Sequence, residues 1–83
     1  MLDAKEIETW IAQGMDCEQL VVEGDGQHFA AVIVSREFAG LSRVKRQQRV
    51  YDTIRAQLDS GELHALSMKT LTPEEWQEQQ SNG

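Results

Sequence analysis

Between Phe38 and Tyr51 the chain packs a turn, a helix start and most of its positive charge into fourteen residues, Phe38-Ala39-Gly40-Leu41-Ser42-Arg43-Val44-Lys45-Arg46-Gln47-Gln48-Arg49-Val50-Tyr51. Gly40 permits a backbone turn that a β-carbon would resist. Ser42 can accept from the first free amides of a helix. Beyond it, Val44, Tyr51, Ile54 and Leu58 fall on one arc at about 100° per residue, with Val50 and Gln47 beside them. Lys45, Arg46 and Arg49 fall on the opposite side. The spacing predicts an amphipathic helix over Ser42–Asp59, ended by Ser60-Gly61.

The remaining segments supply a surface for that helix. Asp3 and Glu6 stand at capping-box spacing before the stripe Ile7, Trp10 and Ile11, and Gly14 follows, so a first helix is predicted over Ala4–Gln13. Glu18–Glu23 is rich in β-formers, Gly24-Asp25-Gly26-Gln27 reads as a turn, and Phe29–Val34 is an almost continuous apolar run. Together they predict a hairpin. Ser35–Gly40 is a short connection with room for one helical turn. Glu62–Thr70 is predicted as a third strand, in which Leu63, Ala65 and Ser67 alternate with His64, Leu66 and Met68. Thr72, Pro73 and Glu75 open a last short helix by cap, first-turn proline and box, with Leu71 and Trp76 at staple positions and fraying expected by Ser81–Gly83. The order is helix, strand, strand, helix, strand, helix. An α+β fold follows, a three-stranded sheet with helices packed on one face. Val44, Tyr51, Ile54 and Leu58 are expected to meet Ile7, Ile11, Val32 and Val34 in the core.

An 83-residue chain is one small domain, 1–83, with a thin core. It has no apolar run long enough to span a membrane. Its first residues lack the basic start and apolar stretch of a signal peptide, and a cytoplasmic location is expected. The lone Cys17 has no partner for an intramolecular disulfide and no histidine near it in sequence, so it reads as a buried or idle thiol. No P-loop, dinucleotide fingerprint or Ser-His-Asp pattern is present, so an enzyme is not expected. The net charge of −6 disfavours a general nucleic-acid binder. Its distribution is uneven. Arg36–Arg55 holds six of the eight basic residues and is +4, while the rest of the chain is −10. The plain reading of that segment is a solvated helix face. The functional readings are a polyanion or an acidic partner.

The two histidines are the candidate ligands. His28 follows the glycine turn and His64 is placed on the third strand. An ordinary surface role is the plain reading of each. Two imidazoles fall short of a closed four-ligand zinc site but suit a site that another protein completes. Imidazole ligation of one iron of a [2Fe–2S] cluster has a precedent in Rieske centres.

Phe38-x-Gly40-x-Ser42, Val44-x-Arg46 and Val50-Tyr51, with Gly24–Phe29 and Leu63–Trp76 at their spacings, resemble the signature of the BolA family, in particular its bacterial IbaG-type branch. The resemblance spans about Ile7 to Trp76. It implies a type II KH-like fold, but Gly40-Leu41-Ser42-Arg43 lacks the second glycine of the Gly-x-x-Gly loop with which KH modules grip RNA. Where many members read Arg-His-Arg this chain has Arg46-Gln47-Gln48, so no role of that histidine transfers. Family members pair with monothiol glutaredoxins and share a [2Fe–2S] cluster. The resemblance implies that His64 and His28 are ligands to one iron, His64 from a fixed strand and His28 from a mobile loop. Glutaredoxin and glutathione thiols would hold the other iron. The implied role is an adaptor in iron–sulfur cluster handling and iron homeostasis. The alternative is a DNA-binding transcriptional regulator of stress or acid response using Arg43, Lys45, Arg46 and Arg49. A structural interaction domain, including a homodimer, is the third class.

Overall fold

The strand pairing fixes where everything else lies. A computed structural model describes residues 2–82. The elements are α1 (Ala4–Gly14), β1 (Gln19–Gly24), β2 (Phe29–Val34), a single 3-10 turn at Arg36–Phe38, α2 (Arg43–Thr53), α3 (Arg55–Ser60), β3 (Leu66–Leu71) and α4 (Pro73–Asn82). The strands lie in the order β1-β2-β3. β1 and β2 form the predicted antiparallel hairpin, and β2 and β3 run parallel with Phe29 opposite Leu66. A parallel pair needs a long crossover, and the segment containing α2 and α3 provides it.

One sheet face carries Val22, Phe29, Ala31, Ile33 and Leu66, all buried. It packs with Ile7 and Ile11 of α1 and with Val50 and Ile54 of the crossover, while Tyr51 and Leu58 are partly buried against the cluster. All three helix starts form as the sequence predicts. Asp3 accepts from the Lys5 amide, and Glu6 closes the box on the Asp3 amide. The Ser42 hydroxyl accepts from the Lys45 amide at 3.3 Å. Glu75 accepts from the Thr72 amide at 2.8 Å, and Thr72 from the Glu75 amide at 3.2 Å. Each box satisfies amides that a helix leaves unpaired. The connection after β2 makes its helical turn, capped by the fully buried Ser35, and seats Phe38 in the core.

Four expectations change. The predicted helix over Ser42–Asp59 is two helices, broken at Ile54, whose φ of −122° and ψ of 22° leave the helical region. The Thr53 hydroxyl takes the Val50 carbonyl at 2.6 Å, a local bond that competes with the helical ladder. The predicted stop at Gly61 stands. Val44 is not core: it is 61% exposed, and Val50 is fully buried in its place. Val50 and Ile54 lie one turn apart, whereas six residues from Val44 to Val50 turn the side chain about a third of a circle away. β3 begins at Leu66, so Glu62–Ala65 is irregular and His64 is not on the strand. Leu63 is buried all the same, and its amide donates to the Gln57 carbonyl at 3.1 Å. Finally, Val32 and Val34 point to the face opposite Ile7 and Ile11, although Val34 is buried as expected. There Val32 lines a shallow apolar groove with Val21, Ala30 and Trp76 of α4, so the one-face arrangement holds for α1 and α2 while α4 reaches the second face. α4 runs to Asn82, so the fraying expected from Ser81 does not hold at Ser81 and Asn82, and Gly83 lies outside the described residues.

Truncating Ile54 to Ala should cost about 2–5 kcal/mol, as for a fully buried aliphatic side chain, whereas Val44→Ala should change stability by less than about 0.5 kcal/mol. Urea denaturation of the two variants checks both; equal losses would place Val44 back in the core.

Candidate functional site

The parallel register of β2 and β3 decides which residues meet. Phe29 and Leu66 open the two strands side by side, so the segments that lead into them are neighbours although far apart in sequence. His28 is the residue before β2, and His64 lies two residues before β3. Both line one open cleft of about 500 Å³, together with Gly26, Gln27, Glu62, Ala65 and Ser67.

Each histidine is held by its backbone. A β-carbon on Gly24 would collide with the Phe29 ring and the His28 carbonyl, and Gly26 takes a φ of 100°. These two residues let the chain reverse within four positions. Asp25 closes the reversal. Its Oδ1 accepts from the Gln27 and His28 amides, both at 2.9 Å, and its own amide donates to the His28 carbonyl at 3.3 Å. The His28 and Gln27 amides hold the Asp25 carboxyl below the usual carboxylate range. His28 therefore follows a turn closed by three hydrogen bonds. His64 is fixed differently, carried between the buried anchors Leu63 and Leu66. Both imidazoles are exposed. Among the described residues, no group of three or more His, Cys, Asp and Glu side chains converges to hold a metal ion. The cleft thus presents two exposed imidazoles, each with a nitrogen able to donate a lone pair when neutral.

The description "BolA-like protein" matches residues 11–75. The chain belongs to the BolA-like family. It is 36% identical to the Escherichia coli "acid stress protein IbaG" over 75 residues, 90% of this chain and 89% of that one. It is 41% identical to the "DNA-binding transcriptional regulator BolA" of Haemophilus influenzae over 56 residues, 68% of this chain and 53% of that one. The solved structure of a bolA homologue from Coxiella burnetii superposes with a TM-score of 0.83 at 36% identity, covering 93% of this chain and 99% of that one.

The basic face of this BolA-like chain is not what periodicity predicts. Arg46 turns inward, its side chain only 15% exposed. It donates to the Leu41 and Thr70 carbonyls at 3.0 and 3.2 Å and pairs with Glu75 at 2.7 Å. Arg49 pairs with Glu37 at 2.8 Å and donates to the Gly14 carbonyl at 3.1 Å. Arg43 and Lys45 remain exposed. Sequence reasoning missed Glu37 and Glu75, the carboxylates that take up two of the four cations. The Thr72 box pointed to Glu75 as a capping residue only.

Cys17 lies apart from the cleft and is partly buried. Burial, then the carboxylates of Glu37, Glu18 and Asp16, push its thiol up to about 11. A thiol so disfavoured as thiolate is a poor nucleophile at neutral pH. Cys17 should react with iodoacetamide far more slowly than free cysteine at pH 8, and its rate should keep rising to about pH 11; fast labelling at pH 8 would contradict the burial.

The inward ion pairs predict a pH dependence. Arg46 hydrogen bonds, then the Thr72 amide, hold the Glu75 carboxyl below its ordinary 4.5. The Asp16 amide, then Arg49, do the same for Glu37. A carboxyl lowered in the folded chain stabilises it fully above the unfolded value, and that contribution is lost as pH falls through the folded one. Glu75→Gln should therefore lower the urea midpoint at pH 7, with the gap to wild type closing as pH drops below 4.5. A gap independent of pH would mean that the charge of Glu75 is irrelevant.

Proposed function

We propose that this BolA-like protein is a cytoplasmic adaptor, not a catalyst, that pairs with a monothiol glutaredoxin in iron–sulfur cluster handling and iron homeostasis. In the mixed complex His28 and His64 would hold one iron of a [2Fe–2S] cluster, and thiols of glutaredoxin and glutathione the other. The observation that carries this reading is the pair of exposed imidazoles, brought into one cleft from separate segments. The donor chemistry fits, since neutral imidazole is a ligand to cluster iron in Rieske centres. Cys17 does not line this cleft, which supports leaving it out of the ligand set.

A protonated imidazole has no lone pair to donate. Lowering the pH into the range where imidazoles protonate should loosen the complex. The decisive test is purification of this chain together with a monothiol glutaredoxin and glutathione, followed by iron and sulfide analysis, visible absorption and circular dichroism. His28→Ala and His64→Ala should each alter the spectrum and shorten the cluster lifetime, the double variant should lose the histidine-dependent features, and Cys17→Ser should match wild type. If both single variants keep the wild-type spectrum and lifetime, neither histidine is a ligand.

A second reading, a stress or acid-response regulator that binds DNA, is favoured by the name of the Haemophilus relative and by the exposed Arg43 and Lys45. Two exposed cations on this helix face of an acidic chain support at most weak, salt-sensitive contact. Two phosphate contacts give a log–log salt slope of about −2. A steeper slope that survives Arg43→Glu with Lys45→Glu would place DNA contact elsewhere.

A further inference from the structure

We infer that Asp25 is a positioning residue for His28, setting the ring tautomer so that Nε2 is the nitrogen left free for a metal. The inference rests on the reading of His28 as a ligand and adds what makes it a competent one.

The carboxylate divides its two oxygens. Oδ1 takes both backbone amides, from Gln27 and His28, at 2.9 Å. Oδ2 stands 4.0 Å from Nδ1 of the same histidine. That distance is long for a direct hydrogen bond and within reach of one shared water or a small ring rotation. A fixed negative charge on the Nδ1 side favours the tautomer whose proton points at it, which leaves the lone pair on Nε2. Metal-binding histidines commonly have their second nitrogen engaged by a carboxylate or carbonyl, which fixes ring and tautomer. Asp25 is the residue placed to do this for His28, because its other oxygen already holds the turn that carries the ring. The side chain therefore couples backbone and ring through a single group.

Asp25→Asn separates the two roles. The amide oxygen can still accept the Gln27 and His28 amides, but the charge beside Nδ1 is gone. Asp25→Ala removes both. In the full-length apo chain labelled with ¹⁵N, long-range ¹H–¹⁵N correlation at pH 8 reads the ring tautomer, and the Gln27 and His28 amide shifts read the turn. Wild type should show His28 mainly as Nδ1–H. Asp25→Asn should keep the turn shifts while moving the ring toward Nε2–H, and Asp25→Ala should disturb both. In the complex with glutaredoxin and glutathione, Asp25→Asn should shorten the cluster lifetime about tenfold, and Asp25→Glu should recover part of it. An unchanged tautomer ratio in Asp25→Asn overturns the inference. So does a shifted ratio with wild-type cluster lifetime when His28→Ala bleaches the same complex. If His28→Ala itself leaves the spectrum unchanged, the failure belongs to the ligand assignment, and the positioning role falls with it.

Discussion

The parallel pairing of β2 with β3 is the constraint on which the rest depends. A hairpin such as β1–β2 closes in a few residues, but parallel neighbours must be joined by a crossover. That demand turns the signature segment into a bridge. Ser35 and Phe38 anchor its start, Val50 and Ile54 press it onto the sheet, and Leu63 anchors its end. The same register aligns the starts of β2 and β3 at one end of the sheet, which carries His28 and His64 into one cleft. Antiparallel pairing of these strands would have put the two histidines at opposite ends. The candidate site is thus a consequence of strand direction in the β2–β3 pair.

The bridge also closes the sheet. β3 is an edge strand, and an open edge invites pairing with another chain. The Tyr51 hydroxyl donates to the Leu66 carbonyl at 3.3 Å, and Arg46 to the Thr70 carbonyl at 3.2 Å. On the opposite edge Glu8 of α1 accepts from the Val22 amide at 3.0 Å. Arg46 then reaches Glu75, which caps α4 through the Thr72 amide, so one guanidinium ties the bridge, the outer strand and the last helix together. This accounts for charge that a reading of the helix face alone assigns to a partner. A guanidinium with several donors in a fixed fork suits such a junction better than an ammonium would.

What the residues disclosed in advance follows from the range of the physics. Caps, boxes and turns are set within four positions, so Asp3–Glu6, Ser42, Thr72–Glu75 and Gly24–Gln27 were legible, and with them the element order. The sheet face was not. Phe29–Val34 is apolar at every position, so alternation gives no sign of which half points at α1, and Val32 and Val34 were expected where Phe29, Ala31 and Ile33 stand. Val44 failed for a related reason: a three- or four-residue rhythm can be drawn through it, but the break at Ile54 and the burial of Val50 set a different phase. The inward turn of Arg46 and Arg49 needs Glu75 and Glu37, whose proximity no local pattern encodes. The histidines were legible as exposed donors near turns. Their meeting was not legible from spacing alone, because it depends on strand direction.

The placement of the two imidazoles has an energetic corollary. Small metal domains often fold only on binding, because the metal supplies the missing core. Here the core is a contiguous cluster from α1, the sheet and the crossover, and neither His28 nor His64 belongs to it. Both side chains are already exposed, and their backbones are held by Asp25 and by Leu63 and Leu66. If the cleft binds a metal as proposed, that binding would have little folding to drive, so its free energy would be available to hold a second molecule. Two donors are too few to retain a metal alone and enough to bias where a shared one sits. On the proposed reading, such a cleft would favour a complex over a loaded monomer and would let the chain stay folded when a partner leaves.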